Sequence, residues 1–173
     1  MNAEELRALQ APIKSNYRET PENAIFTLRA KGDLSAGLTC NVETGKGLAR
    51  AGLHPKTGGD GVALCSGDML LEALVACAGV TLNAVATALE LSLRGATVYA
   101  EGDIDARGTL GIDKSAPVGF REIRLRFEID SDASSEQLDT LVRLTERYCV
   151  VFQTLNKRPD LTVSRSLKPP ESA

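Results

Sequence analysis

Apolar residues follow three rhythms along this chain, and each rhythm predicts a different element. From about residue 67 to 93 no proline interrupts, and at about 100° per residue Glu72, Asn83, Thr87, Glu90 and Arg94 gather on one narrow stripe. Most of the remainder, from Leu70, Leu71 and Leu74 through Cys77, Ala78, Val80 and Leu82 to Leu89, is apolar. That pattern predicts a long, mostly enclosed helix with Ser66 as its N-cap. Gly79, between Ala78 and Val80, would let another backbone approach closely. A period of two appears over 123–129, where Ile123, Leu125, Phe127 and Ile129 alternate with Arg124, Arg126 and Glu128. Such alternation predicts a strand with one wet face. The third rhythm follows Ser134-Ser135-Glu136-Gln137, a capping-box start, with Leu138, Leu141, Val142, Tyr148 and Cys149 along one helical face.

Weaker signals fill in the rest. A short helix is expected over 3–10, ending before Pro12, and strands over 24–30, 38–43, 97–104 and 161–166. A turn-rich loop covers 52–61, and a short helix 150–156. The order is helix, strands, long helix, strands, helix, strand, which is an α+β arrangement. It reads as a single domain over 24–167, behind an N-terminal extension (1–23) and ahead of a polar tail (168–173), with no internal repeat.

Composition narrows the function classes. At 173 residues, 43% hydrophobic and 25% charged, the chain suits one globular domain. A net charge of −3 without a basic block gives little electrostatic reason to bind nucleic acid. The N-terminal residues are charged and lack the apolar core of a signal peptide. The apolar stretch 69–93 is broken by Glu72, Asn83 and Glu90, so a buried helix is expected there rather than a membrane span. The expected compartment is the cytoplasm, where a disulfide is more often catalytic or redox-sensing than structural.

Candidate chemistry rests on cysteine. Cys40, Cys65, Cys77 and Cys149 are widely spaced, no CxxC pair occurs, and His54 is the single histidine, so neither a zinc site nor any other cofactor is expected. Gly45-Lys46-Gly47 lacks the remaining residues of a phosphate loop and reads as a turn. His54, beside Pro55 in the turn-rich loop, reads as solvated. Cys77 and Cys149 both fall on apolar helical faces. By pattern alone they are either small buried hydrophobes or a reactive pair.

Local sequence bears on that choice. The run Ser66-Gly67-Asp68-Met69-Leu70-Leu71-Glu72-Ala73-Leu74-Val75-Ala76-Cys77 resembles the first motif of the OsmC/organic-hydroperoxide-resistance family, an "LLxALxAC" on a central helix. Glu146-Arg147-Tyr148-Cys149-Val150-Val151-Phe152-Gln153-Thr154-Leu155 resembles the second, a helical cysteine followed by a short apolar run. The resemblance extends from about Ala24 to Ser166. It implies an OsmC-like fold with antiparallel-rich sheets and an intertwined homodimer, in which long central helices are wrapped by sheets from both subunits. It also implies thiol-dependent reduction of organic hydroperoxides at the dimer interface, with Cys77 as the peroxidatic thiolate and Cys149 as the resolving thiol. An external dithiol or lipoyl group would serve as reductant. The family's activating arginine lies near the first strands, where Arg29, Lys31 and Arg50 compete and Arg29 is the first choice. Three positions depart from the family pattern. Its Pro-Glu pair ahead of the first cysteine is Ser66-Gly67 here, and its proline after the second cysteine is Val150. Asp68, nine residues before Cys77, falls on the opposite helical face and suits the helix N-terminus instead. Other readings on the same fold are a non-enzymatic binder of a small apolar ligand and a redox sensor whose disulfide is read by a partner.

Overall fold

The computed structural model describes residues 2–27, 31–35, 39–44 and 47–166, with backbone alone for 31–35 and 39–44. Helix α1 (Ala3–Glu19) opens on a capping box in which the Asn2 side chain accepts from the Glu5 N–H and the Glu5 carboxylate accepts from the Asn2 N–H. It runs through Pro12 rather than ending before it. Proline removes the bond to the carbonyl of Ala8, but Ala8 is exposed, so water can satisfy the freed oxygen. Strands β1 (Lys31–Ser35), β2 (Thr39–Thr44) and β3 (Gly47–Gly52) form an antiparallel meander, and the two-residue β4 (Leu64–Cys65) pairs parallel to β3. Thr44 pairs with Gly47; of the turn expected at Gly45-Lys46-Gly47, residues 45 and 46 lie outside the described residues. The strand expected over 24–30 is absent from 24–27. Pro21–Ala24 is a 3-10 turn, and Ile25 and Phe26 stand exposed and pair with no strand among the described residues; 28–30 lie outside them.

Helix α2 (Ser66–Ala88) is the long element, capped at Cys65 rather than Ser66. It stops short of residue 93 because Glu90 adopts a left-handed conformation (φ 59°). The Glu90 N–H donates to the Thr87 carbonyl at 3.1 Å and the Leu91 N–H to the Ala86 carbonyl at 2.9 Å. This is a Schellman stop with glutamate where glycine is usual. Leu91 and Leu93 then pack back on the helix. Beyond it, β5 (Leu93–Ile104) and β6 (Phe120–Ser131) pair antiparallel, joined through the one-turn α3 (Ala106–Thr109). Leu125, Phe127 and Ile129 face α2, whereas Arg124, Arg126 and Glu128 lie on the exposed face with Glu101, Asp103 and Tyr99. Gly102 is needed because the Phe120 ring lies across it; a Cβ there would come within 2.4 Å of the ring.

Helix α4 (Ser135–Tyr148) begins on the expected capping box at Ser134 and Gln137. Its Leu141 joins Leu82, Val85 and Ala86 in one buried cluster. Helix α5 (Val150–Asn156) follows after a single residue. Leu74, Ala78 and Cys149 form a second buried cluster between α2, the β5–β6 sheet and α5. The strand expected over 161–166 forms no ladder, and Val163 is 98% exposed. Alternating sequence becomes strand only where an edge can receive it, and among the described residues neither 25–27 nor 161–166 pairs with one.

The expectation that α2 is mostly enclosed also fails for the chain by itself. Leu70, Ala73, Ala76, Val80 and Ala84 are exposed in addition to Glu72 and Asn83, and Val80 reaches 73%. Among the described residues, one apolar stripe of the helix is left largely uncovered.

Candidate functional site

Two helices converge on two sulfurs. Cys149 separates α4 from α5, and its backbone (φ −71°, ψ 108°) is extended, so it lies one residue past the helical face on which its sequence had placed it. The Cys149 N–H donates to the Thr145 carbonyl at 2.9 Å, closing α4. Its Sγ accepts from the Phe152 N–H at 3.5 Å, capping α5. Two β-branched residues, Val150 and Val151, make continuous helix less favourable at this point. The Gln153 side-chain amide braces the junction by donating to the Glu146 carbonyl at 2.8 Å.

Cys77, half-buried on α2, packs beside Cys149 and Val151 at the same helix end, where the amides of Val150 and Val151 favour its thiolate. The opening amides of α5 therefore face the two sulfurs: Phe152 donates to Cys149, and the amides of Val150 and Val151 lower Cys77, Val151 acting on Cys149 as well. Burial pushes the Cys77 thiol up. The Val151 amide, the Cys149 thiol, the Val150 amide and the Thr81 hydroxyl outweigh it, and the group lies below the ordinary thiol range. Burial pushes the Cys149 thiol up as well; the Phe152 amide opposes this, but donation to Cys77 adds to it, and the group ends above that range. One site thus holds two packed sulfurs shifted in opposite directions, Cys77 lowered and the buried Cys149 raised. Among the described residues, the groups acting most strongly on Cys77 are neutral hydrogen-bond donors rather than a cation.

The other sequence candidates lie elsewhere. Arg29 falls outside the described residues. Arg50 is exposed on β3, opposite Asn41, and Lys31 lies on β1, opposite Glu43. Cys40 sits in β2 opposite Leu34 and Ala51. Cys65 is at the far end of α2, roughly 18 Å along the axis from Cys77. His54 caps the 3-10 turn Pro55–Thr57, its Nδ1 accepting from the Lys56 N–H at 3.0 Å. Among the described residues no three of His, Cys, Asp or Glu come together as a metal site.

Sequence reading missed the supporting atoms. Backbone amides of α5 leave no trace in composition. Thr81 left one, its i+4 spacing from Cys77. A cleft of about 330 Å³ adjoins the sulfur cluster and shares Leu74 and Phe152 with it. Ile123, Leu125 and Leu155 extend its apolar wall, and Arg121, Glu122 and Asn156 give it a polar rim.

With this geometry in hand, kinship can be assigned. The OsmC-like protein family matches residues 58–164, a span that holds α2, the β5–β6 sheet and both cysteines. This chain belongs to the OsmC family. Its fold is that of solved OsmC-like structures. The OsmC-like protein from Mycoplasma pneumoniae superposes with a TM-score of 0.64 at 20% identity, over 77% of this chain and 89% of that one. An organic hydroperoxide resistance protein from Elizabethkingia anophelis gives 0.61 at 17% identity, over 78% and 91%. The organic hydroperoxide resistance protein OsmC from Legionella pneumophila gives 0.59 at 21%, over 76% and 90%. No curated protein matches this sequence. As an OsmC-family chain it has relatives named for hydroperoxide resistance, and at these identities the likeness establishes the fold.

Proposed function

We propose that this OsmC-family protein is a thiol peroxidase that reduces organic hydroperoxides, with Cys77 peroxidatic and Cys149 resolving. The observation that carries the reading is an unequal pair packed together: Cys77, half-buried and lowered by neighbouring donors, against the fully buried Cys149, raised by its burial. The thiolate is the nucleophile. Cys77 attacks one peroxide oxygen, the S–O bond forms as the O–O bond breaks, and the alkoxide leaves and takes a proton to become alcohol. The Cys149 sulfur then attacks the resulting sulfenic acid, forming S–S and releasing water before further oxidation can occur. Two electrons and two protons from an external dithiol, a lipoyl group or a small thiol restore the pair. The cleft beside Leu74 and Phe152 would favour alkyl-bearing peroxides, because their apolar parts gain by burial.

The same reading includes a homodimer working in the cytoplasm. A second copy would cover the bare stripe around Val80 and offer sheet edges to 25–27 and 161–166. The rival is a non-enzymatic binder of small apolar molecules; it draws on the cleft and on the lack of a cation among the strongest influences on Cys77.

The test is an asymmetry between two variants. Cys77→Ser should abolish consumption of cumene hydroperoxide with a dithiol as reductant. Cys149→Ser should react once, leave a sulfenic acid that a dimedone-type probe traps, and then stall. Wild type treated with one equivalent of peroxide should yield a peptide cross-linked through residues 77 and 149. No cross-link and no dithiol-dependent turnover in wild type would hand the site to the ligand-binding reading.

A further inference from the structure

One residue that the thiol mechanism above does not use stands out. Thr81 lies one helical turn beyond Cys77 on the same face of α2, half-buried, with its hydroxyl donating to the Cys77 carbonyl at 2.8 Å. Such a bond back along the helix is ordinary, and Thr87, Thr145 and Thr154 make the same one at the same distance. At Thr81 the neighbour differs, because the hydroxyl stands beside an ionisable sulfur.

We propose that Thr81 is a positioning residue for Cys77, whose hydroxyl turns from the Cys77 carbonyl to the Cys77 sulfur when that sulfur ionises. A hydroxyl has one proton to give, and rotation about the χ1 bond chooses its acceptor. Turning away leaves nothing unpaired, since the Cys77 carbonyl keeps its helical bond from the Thr81 N–H. Turning toward sulfur adds a charge-assisted bond, about twice as strong as a neutral one. Thr81 would thus donate from α2 while the amides of Val150 and Val151 act from α5, holding the thiolate between two helices. That arrangement also fits the direction in which the Thr81 hydroxyl moves the Cys77 thiol. The inference rests on Cys77 being the reactive thiol in the reading above, but not on peroxide being its substrate.

The experiment compares wild type with Thr81→Val, which keeps the shape and loses the hydroxyl, and Thr81→Ser, which restores it. The reduced proteins are alkylated with iodoacetamide across pH, and the peptide carrying Cys77 is followed by mass spectrometry. Thr81→Val should slow Cys77 alkylation about tenfold near neutral pH, as expected for one lost bond to a charged group. At alkaline pH, where every variant is thiolate, the rate should match or slightly exceed wild type, because a more basic thiolate is the better nucleophile. Thr81→Ser should return the profile to that of wild type. A uniform change at every pH, or no change, overturns the assignment; so does a serine variant that behaves like valine. Thermal unfolding alongside separates a loss of packing, which would accompany either variant, from a loss of the donor. Peroxide turnover in wild type with an unaltered Thr81→Val profile would sink this inference alone. An altered profile in a protein without turnover would sink the peroxidase reading alone.

Discussion

Replacing Val150 by proline deletes one amide proton and little else. Val150 is the first residue of α5, where the N–H has no partner within the helix and the fixed φ of proline is favoured. Cys149 already holds the extended backbone that a residue before proline requires. Val150 is 69% exposed, so little packing is lost. Its carbonyl still accepts from Thr154, and the Gln153 N–H still reaches Cys149. What disappears is one of two amides directed at the Cys77 sulfur. A hydrogen bond to a charged group contributes about 1.5–3 kcal/mol net. Because Cys77 is half-buried and partly screened, the lower end applies, which is roughly a tenfold fall in thiolate near neutral pH. Alkylation of the Cys77 peptide with iodoacetamide, measured from mildly acidic to alkaline pH, should show that loss and converge with wild type at the alkaline plateau. The thermal transition should move little. A folded Val150→Pro protein whose Cys77 reacts with an unshifted profile would refute the view that α5 activates the sulfur. The residue installed is the one the family resemblance leads one to expect, so the variant also asks whether this chain relies on amides in its place.

Val80→Asp places a charge on the bare stripe of α2; the single chain should tolerate it within about 0.5 kcal/mol, while sedimentation should shift a wild-type dimer to monomer. A variant that remains dimeric would mean the copies meet elsewhere. Glu90→Gly should raise stability by about 1 kcal/mol, or roughly 2–4 °C, by relieving the left-handed φ; the exposed ion pair it removes with Arg7 contributes little. An unchanged or lowered midpoint would contradict the Schellman reading. Linkage fixes the pH trends of two further variants. The lowered folded value of Cys77 gives stability that is complete above the unfolded thiol value, about 8.5, and lost as pH falls through the folded value. The raised value of Cys149 gives stability that is present below about 8.5 and lost as pH climbs through the folded value. The advantage of wild type over Cys77→Ser in thermal midpoint should therefore grow with pH up to about 8.5, and its advantage over Cys149→Ser should shrink above it. Differences that stay flat across pH would overturn both directions.

How legible each part was depended on where its determinants lie. Periodicity carried α2, α4 and β6, because burial on one face leaves a direct imprint on which residues are apolar. The Ser134–Gln137 box was visible because a cap is made by named side chains. The end of α2 was hidden: Glu90 takes a conformation that sequence normally announces with glycine. Pro12 misled in the opposite direction, since exposure at Ala8 let α1 continue. The segments 24–30 and 161–166 carry strand-like composition, but pairing belongs to an edge and not to a segment. At the site, the two cysteines could be named from local motifs, whereas the amides of Val150 and Val151 depend on a helix break that no residue type signals.

The cap on α5 also reverses the usual direction of dependence. If its opening amides make the Cys77 thiolate more stable, the thiolate must make the helix more stable by an equal amount, since the two statements describe one free energy. The segment 150–156 is then proton-linked. Its opening by hydrogen exchange should become rarer as Cys77 loses its proton and more frequent once that sulfur is alkylated. A seven-residue helix, far too short to persist by propensity, would then owe to the ionisation of a side chain on another element part of an order otherwise supplied by packing.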